Sequence, residues 1–141
     1  MFSTRTMSDV DWERLKKFQR HEFKSPERMG FEFMLWLDQL AIKANVPIVI
    51  VSSYRTQEHN RSVGGAKDSA HVDEICEAVD IQRRPTPNDP HWNYGRAQVM
   101  MNAVRLGCQR IGMYPNGNLH IDMTHDKRPA PRIWIAVDNP A

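Results

Sequence analysis

The sequence predicts an α+β fold in which a small antiparallel sheet carries helices on one face. Three observations support this prediction. Helical patterns come mostly early in the chain and short strand-like runs mostly late, and the turns between those runs are short enough for antiparallel pairing. The regular βαβ alternation of a doubly wound parallel sheet is missing.

Length and composition predict one domain over residues 1–141, since a chain of this size has too few apolar side chains for a second core. The net charge of +2 at pH 7 comes from scattered lysines and arginines, so we expect no nucleic-acid partner. No stretch reaches the roughly 20 apolar residues of a membrane span, and residues 1–9 lack the apolar part of a signal peptide. We expect a protein that is made in the cytoplasm and binds no membrane.

The first predicted helix follows Ser8, because a serine followed three residues later by an acidic residue, Asp11, is typical of a helix start. Its apolar face would consist of Trp12, Leu15 and Phe18.

A second helix is predicted to begin at Ser25-Pro26-Glu27, with a capping serine and a proline at the first helical position. It would end at Asn45, shortly before Pro47. Its apolar stripe consists of Phe33, Leu37, Leu40, Ala41 and Ala44.

The remaining elements are five short strands and one more helix. Strands are predicted at residues 48–51 and 77–82, on both sides of the turn at residues 115–118, and over Ile133, Ile135 and Val137. After a Pro-rich turn at residues 85–90, a third helix is predicted to end at Gly107. Its apolar face would consist of Ala97, Met100, Met101 and Val104.

Polar side chains that could take part in catalysis or bind a metal lie in one segment and on two strands. Between residues 52 and 75 the apolar periodicity disappears, and long irregular stretches in compact domains are usually functional. Over residues 119–123 the apolar side chains alternate with His120 and Asp122, which places these two on the opposite strand face. The same alternation over residues 77–81 exposes Asp80 on the face away from the core.

His71, Asp80 and His120 are therefore candidate zinc ligands. A catalytic zinc site needs three nitrogen or oxygen ligands and one open position, and the bound ion lowers the pKa of its water and polarises a carbonyl. Each residue alone also has an ordinary explanation as a hydrogen-bonding group, and no HExxH motif accompanies the set.

Several short motifs keep a recognisable order along most of the chain. They are Ser53-Tyr54-Arg55-Thr56, Asn60, Gly64-Gly65, Ser69-Ala70-His71, Ala78-Val79-Asp80-Ile81 and His120-Ile121-Asp122. Together they resemble the signature of the zinc D-alanyl-D-alanine carboxypeptidase family, which shares its fold with the hedgehog signalling domain. Phage endolysins and phage-encoded wall peptidases of this family are similarly small and often lack a signal peptide.

The resemblance implies a zinc peptidase of bacterial peptidoglycan with His71, Asp80 and His120 as the metal ligands. It also implies that Arg55 contacts the substrate, and a guanidinium can fork onto a terminal carboxylate or steady an oxyanion. The alternative for Arg55 is an ordinary surface cation beside an acidic neighbour. Ser69 would hydrogen-bond near the site and orient it.

The first departure from the family pattern lies between two of the ligands. His71 and Asp80 are nine residues apart where the family usually has seven, and Cys76 stands where the pattern has glycine. An irregular loop can absorb two extra residues, but the insertion could also present Cys76, Asp73 or Glu74 as a substitute ligand.

The second departure concerns the general base. Many relatives carry an acidic residue three positions before the last histidine ligand, where this chain has Gly117. Asp122 is the best replacement, because it shares a strand face with His120 and could either reach the metal-bound water or orient the ligand. His125 is a weaker candidate for protonating the leaving amine.

The resemblance leaves the cleaved bond open among D-Ala-D-Ala carboxypeptidase, D,D-endopeptidase and L-alanyl-D-glutamate endopeptidase activities. The expected partners are stem or cross-bridge peptides of peptidoglycan. The alternative is a weakly active or inactive phage tail or wall-binding protein with other virion proteins as partners, which Gly117 and the longer loop favour. Lysis-assisted release or carriage in a virion would bring either protein to the wall.

Overall fold

The structure is a computed structural model that describes residues 2–82 and 90–135. The helices are α1 (Asp9–Glu13), α2 (Phe31–Ala44), α3 (Gln57–Ser62) and α4 (Pro90–Arg105). The strands are β1 (Val49–Ser52), β2 (Ala78–Gln82), β3 (Arg110–Met113), β4 (Leu119–Asp122) and β5 (Arg132–Ile135). This mixture of helices with one five-stranded sheet confirms the predicted α+β class.

The five strands lie in the order β1-β2-β4-β3-β5. The first four pair antiparallel as predicted, whereas β5 pairs parallel with β3. The difference follows from the chain path, because a single reversal after β4 makes β5 antiparallel to β4 and β3 lies between them.

The hydrophobic core joins α2 to one face of the sheet. All five residues of the predicted α2 stripe are buried, and they belong to the same cluster as Val79, Ile81 and Ile121 from the sheet. Asn45 adopts the left-handed conformation at φ 53° and ends α2 as predicted. α4 packs against α2, and the opposite face of the sheet carries polar side chains.

The predicted start of α2 is wrong. The helix begins at Phe31, and Ser25 makes no side-chain capping bond and lies in the left-handed region at φ 49°. Only a 3-10 turn, Pro26–Arg28, follows Ser25, and Met29 and Gly30 then pair in extended conformation with the chain near Met7 on one side and with Cys76 on the other. These backbone hydrogen bonds with distant segments interrupt the helix that the local sequence favours after a single 3-10 turn.

α1 is shorter than its apolar spacing predicts. The Ser8–Asp11 capping box is present as expected, but the helix ends at Glu13. The buried carboxylate of Asp38 then accepts the backbone N–H groups of residues 16 and 17, at 3.0 and 2.7 Å. The chain therefore leaves the helix while Phe18 still reaches the core.

The predicted apolar face of α4 is wrong, whereas the predicted last strand is present as β5. Met101 and Val104 are 51% and 53% exposed, and the side of α4 that is buried carries Val99 and Ala103. In β5 the alternation is present, but Ile133 and Ile135 are 59% and 72% exposed. The small Ala103 suits the close α2–α4 contact, and β5 lies at the sheet edge, where one face has no helical layer.

Two further predictions, the Pro-rich turn before Pro90 and the place of Val137, lie outside the described residues. In the ranges that the structure does describe, no helix has both the length and the hydropathy needed to cross a membrane.

Candidate metal centre

Two adjacent strands place an aspartate and a histidine opposite one another. β2 and β4 pair antiparallel with Asp80 facing His120 and Ala78 facing Asp122. Because side chains alternate along a strand, Val79 points into the core while these polar groups share the other face, as predicted.

His71 comes from a short 3-10 turn, Ala70–Val72, that several hydrogen bonds hold in place. The Ser69 hydroxyl accepts the His71 backbone N–H at 3.2 Å, and the Arg55 N–H donates to the His71 carbonyl at 2.9 Å. The His71 ring is anchored as well, because its Nδ1 lies 2.6 Å from the Ser53 carbonyl oxygen. The turn therefore presents Nε2 in a defined direction.

The three predicted ligands meet at one point. His71 Nε2 and His120 Nδ1 lie 3.2 Å apart, and they lie 3.2 and 3.1 Å from Asp80 Oδ1. All three residues are buried, and they form a group that could hold a metal ion.

Hydrogen bonds on the far side of each ring show which atoms carry lone pairs. The Ser53 carbonyl can only accept, so His71 Nδ1 carries the proton and Nε2 is free to bind. The Asp122 carboxylate accepts from His120 Nε2 at 2.7 Å, which leaves the lone pair on Nδ1. Two ring nitrogens and a carboxylate oxygen therefore face one another without a proton between them when both rings are neutral.

This donor set fits zinc. Three acceptor atoms in close contact repel one another unless a proton or a cation lies between them. A tetrahedral zinc ion about 2.1 Å from each ligand keeps the ligands roughly 3.4 Å apart, which is close to the observed separations.

Without a metal, bound protons supply part of the positive charge that these acceptor atoms need between them. Burial lowers the pKa of His120, but the hydrogen bonds and negative charges of Asp122 and Asp80 outweigh it and raise the pKa to about 9. Burial likewise raises the pKa of Asp80, but the charge of His71 and the hydrogen bond with His120 hold it well below its usual range. Both shifts favour a cation beside the carboxylate.

Asp122 lies behind His120, on the side away from the other two ligands. Its oxygens accept from His120 Nε2, from Arg110 Nε at 2.9 Å and from the Thr124 hydroxyl at 2.6 Å, and its side chain is fully buried. Of the two roles predicted for Asp122, the geometry favours orienting the ligand, because every contact points away from the metal position.

The longer loop keeps the predicted ligands together. Cys76 is fully buried and its thiol donates to the Ala78 carbonyl; burial raises the pKa of this thiol to about 12. Asp73 is bound by Arg128, and Glu74 is exposed. None of the three joins the metal-binding group within the described ranges.

A cavity of about 530 Å³ opens above the ligands and contains the predicted substrate-contacting residue, Arg55. Arg55 is only 8% exposed, and its Nε has no hydrogen-bond partner in the described part of the chain. It is therefore no surface cation, and an anionic or carbonyl group in the cavity would satisfy its buried N–H. Ser69 also lines this cavity.

Sequence reasoning missed four cavity residues that the structure places near the ligands: Arg110, Tyr114, Arg132 and Trp134. The Tyr114 hydroxyl lies 3.4 Å from both oxygens of Asp80, and burial with the charge of that carboxylate raises the pKa of the phenol. The Trp134 ring centre lies 5.5 Å from that of His120. Neither Tyr114 nor Trp134 belongs to one of the motifs. The only signal in the sequence is their position, since Tyr114 directly follows β3 and Trp134 lies on β5.

The cavity provides no obvious carboxylate base. Gly117 lies in the turn after Tyr114 at φ 95°, a conformation that suits glycine. Among the described residues that line the cavity the only carboxylate belongs to Asp68, which accepts a hydrogen bond from Arg128. His125 does not line it.

A family model described as Peptidase M15 matches residues 6–122 and confirms the family resemblance of the motifs. The match contains all three candidate ligands and Arg55, and it ends before β5. No curated protein matches the sequence.

Proposed function

The chain belongs to the peptidase M15 family, and from this premise we propose that it is a zinc-dependent peptidase that hydrolyses stem or cross-bridge peptides of bacterial peptidoglycan. The observation that carries the proposal is the convergence of His71 Nε2, Asp80 Oδ1 and His120 Nδ1 at 3.1–3.2 Å under an open cavity. The hydrogen bonds that His71 Nδ1 and His120 Nε2 make on the far sides of the rings leave the other ring nitrogens directed at Asp80, where they can bind a cation when both rings are neutral.

Each nearby side chain has a defined task in this proposal. A bound zinc ion would supply a water of lowered pKa and polarise the scissile carbonyl. Arg55 would donate its unpartnered Nε–H to a substrate carboxylate or to the developing oxyanion. Tyr114 keeps its phenolic proton at neutral pH, so its hydroxyl acts as a donor beside Asp80.

The second candidate is a weakly active or inactive member that serves in a phage virion or binds the wall. Gly117 favours it, because the turn before β4 supplies no carboxylate to take a proton from water. We propose that either protein reaches the wall after lysis-assisted release or as part of a virion.

Metal content and peptidoglycan digestion, measured on one preparation, separate the two candidates. The enzyme should carry about one zinc per chain and release peptide products, and His120→Ala should lose both. The matched control is His59→Ala, which removes an exposed histidine. Zinc without products would favour the structural candidate, and a zinc-free protein would contradict the proposed metal site.

A further inference from the structure

One wall of the cavity comes from β5, which lies beyond the family match. Arg132, Trp134 and Ile135 all line the cavity that contains His71 and His120. Arg132 and Trp134 are two residues apart on one strand, so they share a strand face.

The Trp134 indole lies flat over β3, beside the candidate metal ligand His120. It pairs with Gly112 of β3, and Gly112 pairs in turn with His120 of β4. A Cβ atom at Gly112 would lie 2.8 Å from the indole Cε2, so only glycine lets the ring lie across this backbone. The indole thereby reaches His120 and forms the adjoining cavity wall.

Arg132 places its positive charge over the Trp134 ring, where it could bind an anionic group. Its guanidinium carbon lies 5.2 Å from the Trp134 ring centre, and its side chain is exposed. Arg110 also approaches the ring, at 5.0 Å, but it is engaged by Asp122 and by the Pro129 carbonyl. No residue in the described ranges forms an ion pair or hydrogen bond with the Arg132 guanidinium.

The sheet order sets Arg132 and Arg55 on opposite sides of the metal position. Arg55 follows β1, the ligands Asp80 and His120 lie on β2 and β4, and Arg132 lies on β5 at the other edge. Neighbouring strands are about 4.8 Å apart, so β5 lies roughly 10 Å from β4. An extended peptide rises about 3.3 Å per residue and covers that distance in about three residues.

We propose that Arg132 and Trp134 form a second anion-binding subsite, which selects peptides with a carboxylate about three residues from the scissile bond on the side opposite Arg55. The guanidinium donates to the carboxylate, and the indole supports the apolar part of the same residue. The inference rests on the proposed peptidase function and deepens it: the substrate is a peptide that carries two carboxylates.

Two versions of one peptide test the subsite. The probes are L-Ala-γ-D-Glu-L-Lys-D-Ala-D-Ala and the same peptide with the α-carboxylate of D-Glu converted to an amide. Dissociation constants are measured by calorimetry on the metal-free protein, and kcat/KM on the zinc-loaded protein. Wild type should prefer the acid about tenfold in both measurements, and Arg132→Gln should abolish the preference without weakening the amide.

The matched control is Arg105→Gln, which removes an exposed arginine outside the cavity and should keep the preference. An unchanged preference in Arg132→Gln, an equal loss for both peptides, or no binding of either peptide to wild type would overturn the subsite. Binding that discriminates the two peptides, together with no cleavage of either, would support the subsite and count against the proposed peptidase.

Discussion

At the residue scale, the role of Asp122 depends on what its oxygens already bind. Three residues donate to the carboxylate: His120 through its ring, Arg110 through its guanidinium, and Thr124 through both its hydroxyl and its backbone N–H. Burial raises the pKa of Asp122, but the hydrogen bond and charge of His120 hold it well below its usual range, so it stays ionised near neutral pH. An ionised carboxylate with these contacts orients the His120 ring, and its hydrogen bonds lie on the side of that ring away from the proposed metal position.

We therefore expect Asp122→Asn to impair zinc binding. The amide can offer only one oxygen, so either His120 or the Arg110–Thr124 pair loses its acceptor. The zinc dissociation constant should rise about 10- to 100-fold, as measured by competition with a chromogenic chelator. Asp9→Asn, at a side chain that is 89% exposed, should leave it unchanged. Lost hydrolysis with wild-type zinc affinity would instead assign Asp122 to proton transfer.

At the element scale, the segment that carries His71 is held by a residue far along the chain. Arg128 donates to both carboxylate oxygens of Asp73, at 2.9 and 3.0 Å, and to the backbone carbonyls of Asp68 and Ser69. This clamp explains how a loop two residues longer than the family pattern still presents His71. The insertion supplies its own anchor, Asp73, in place of a new ligand.

α2 offers a matched pair for testing the core. Leu37 is fully buried and Leu35, on the same helix, is 40% exposed. Leu37→Ala should lower the free energy of unfolding by about 2–5 kcal/mol, because it leaves a cavity between helix and sheet. Leu35→Ala changes helix propensity equally and should cost less than about 1 kcal/mol. Urea unfolding measures both, and equal losses would contradict the assigned helix face.

At the scale of the whole molecule, the candidate ligands join three separate elements. His71 belongs to a loop turn, Asp80 to β2 and His120 to β4, and the unfolded chain holds no such cluster. A metal bound by all three therefore binds the folded protein selectively, and its binding free energy adds to stability.

Removing zinc should lower the thermal unfolding midpoint. At free zinc 1,000 times its dissociation constant, the ion contributes about 4 kcal/mol, which corresponds to roughly 14 °C for a chain of this size. Calorimetry with and without a chelator measures the shift, and His120→Ala should show none. Superimposable wild-type curves would mean that the cluster binds no zinc under these conditions.

The local sequence by itself determined those features that depend only on the pattern of neighbouring residues. Alternation placed Asp80 and His120 on the polar faces of β2 and β4, apolar spacing marked the buried stripe of α2, and the motifs identified the family. These features depend on strand and helix periods, which any stretch of chain carries in its own order of residues.

Tertiary structure decided what depends on distant partners. Pairing of residues 28–30 with two other segments moved the start of α2, and contact with α2 selected the Val99–Ala103 side of α4. The same holds for the cavity: Tyr114 and Trp134 reach the ligands only because the sheet order places β3 beside β4 and β5 on the other side of β3. Such contacts join residues far apart in the chain, so the periodicity of neighbouring residues cannot predict them.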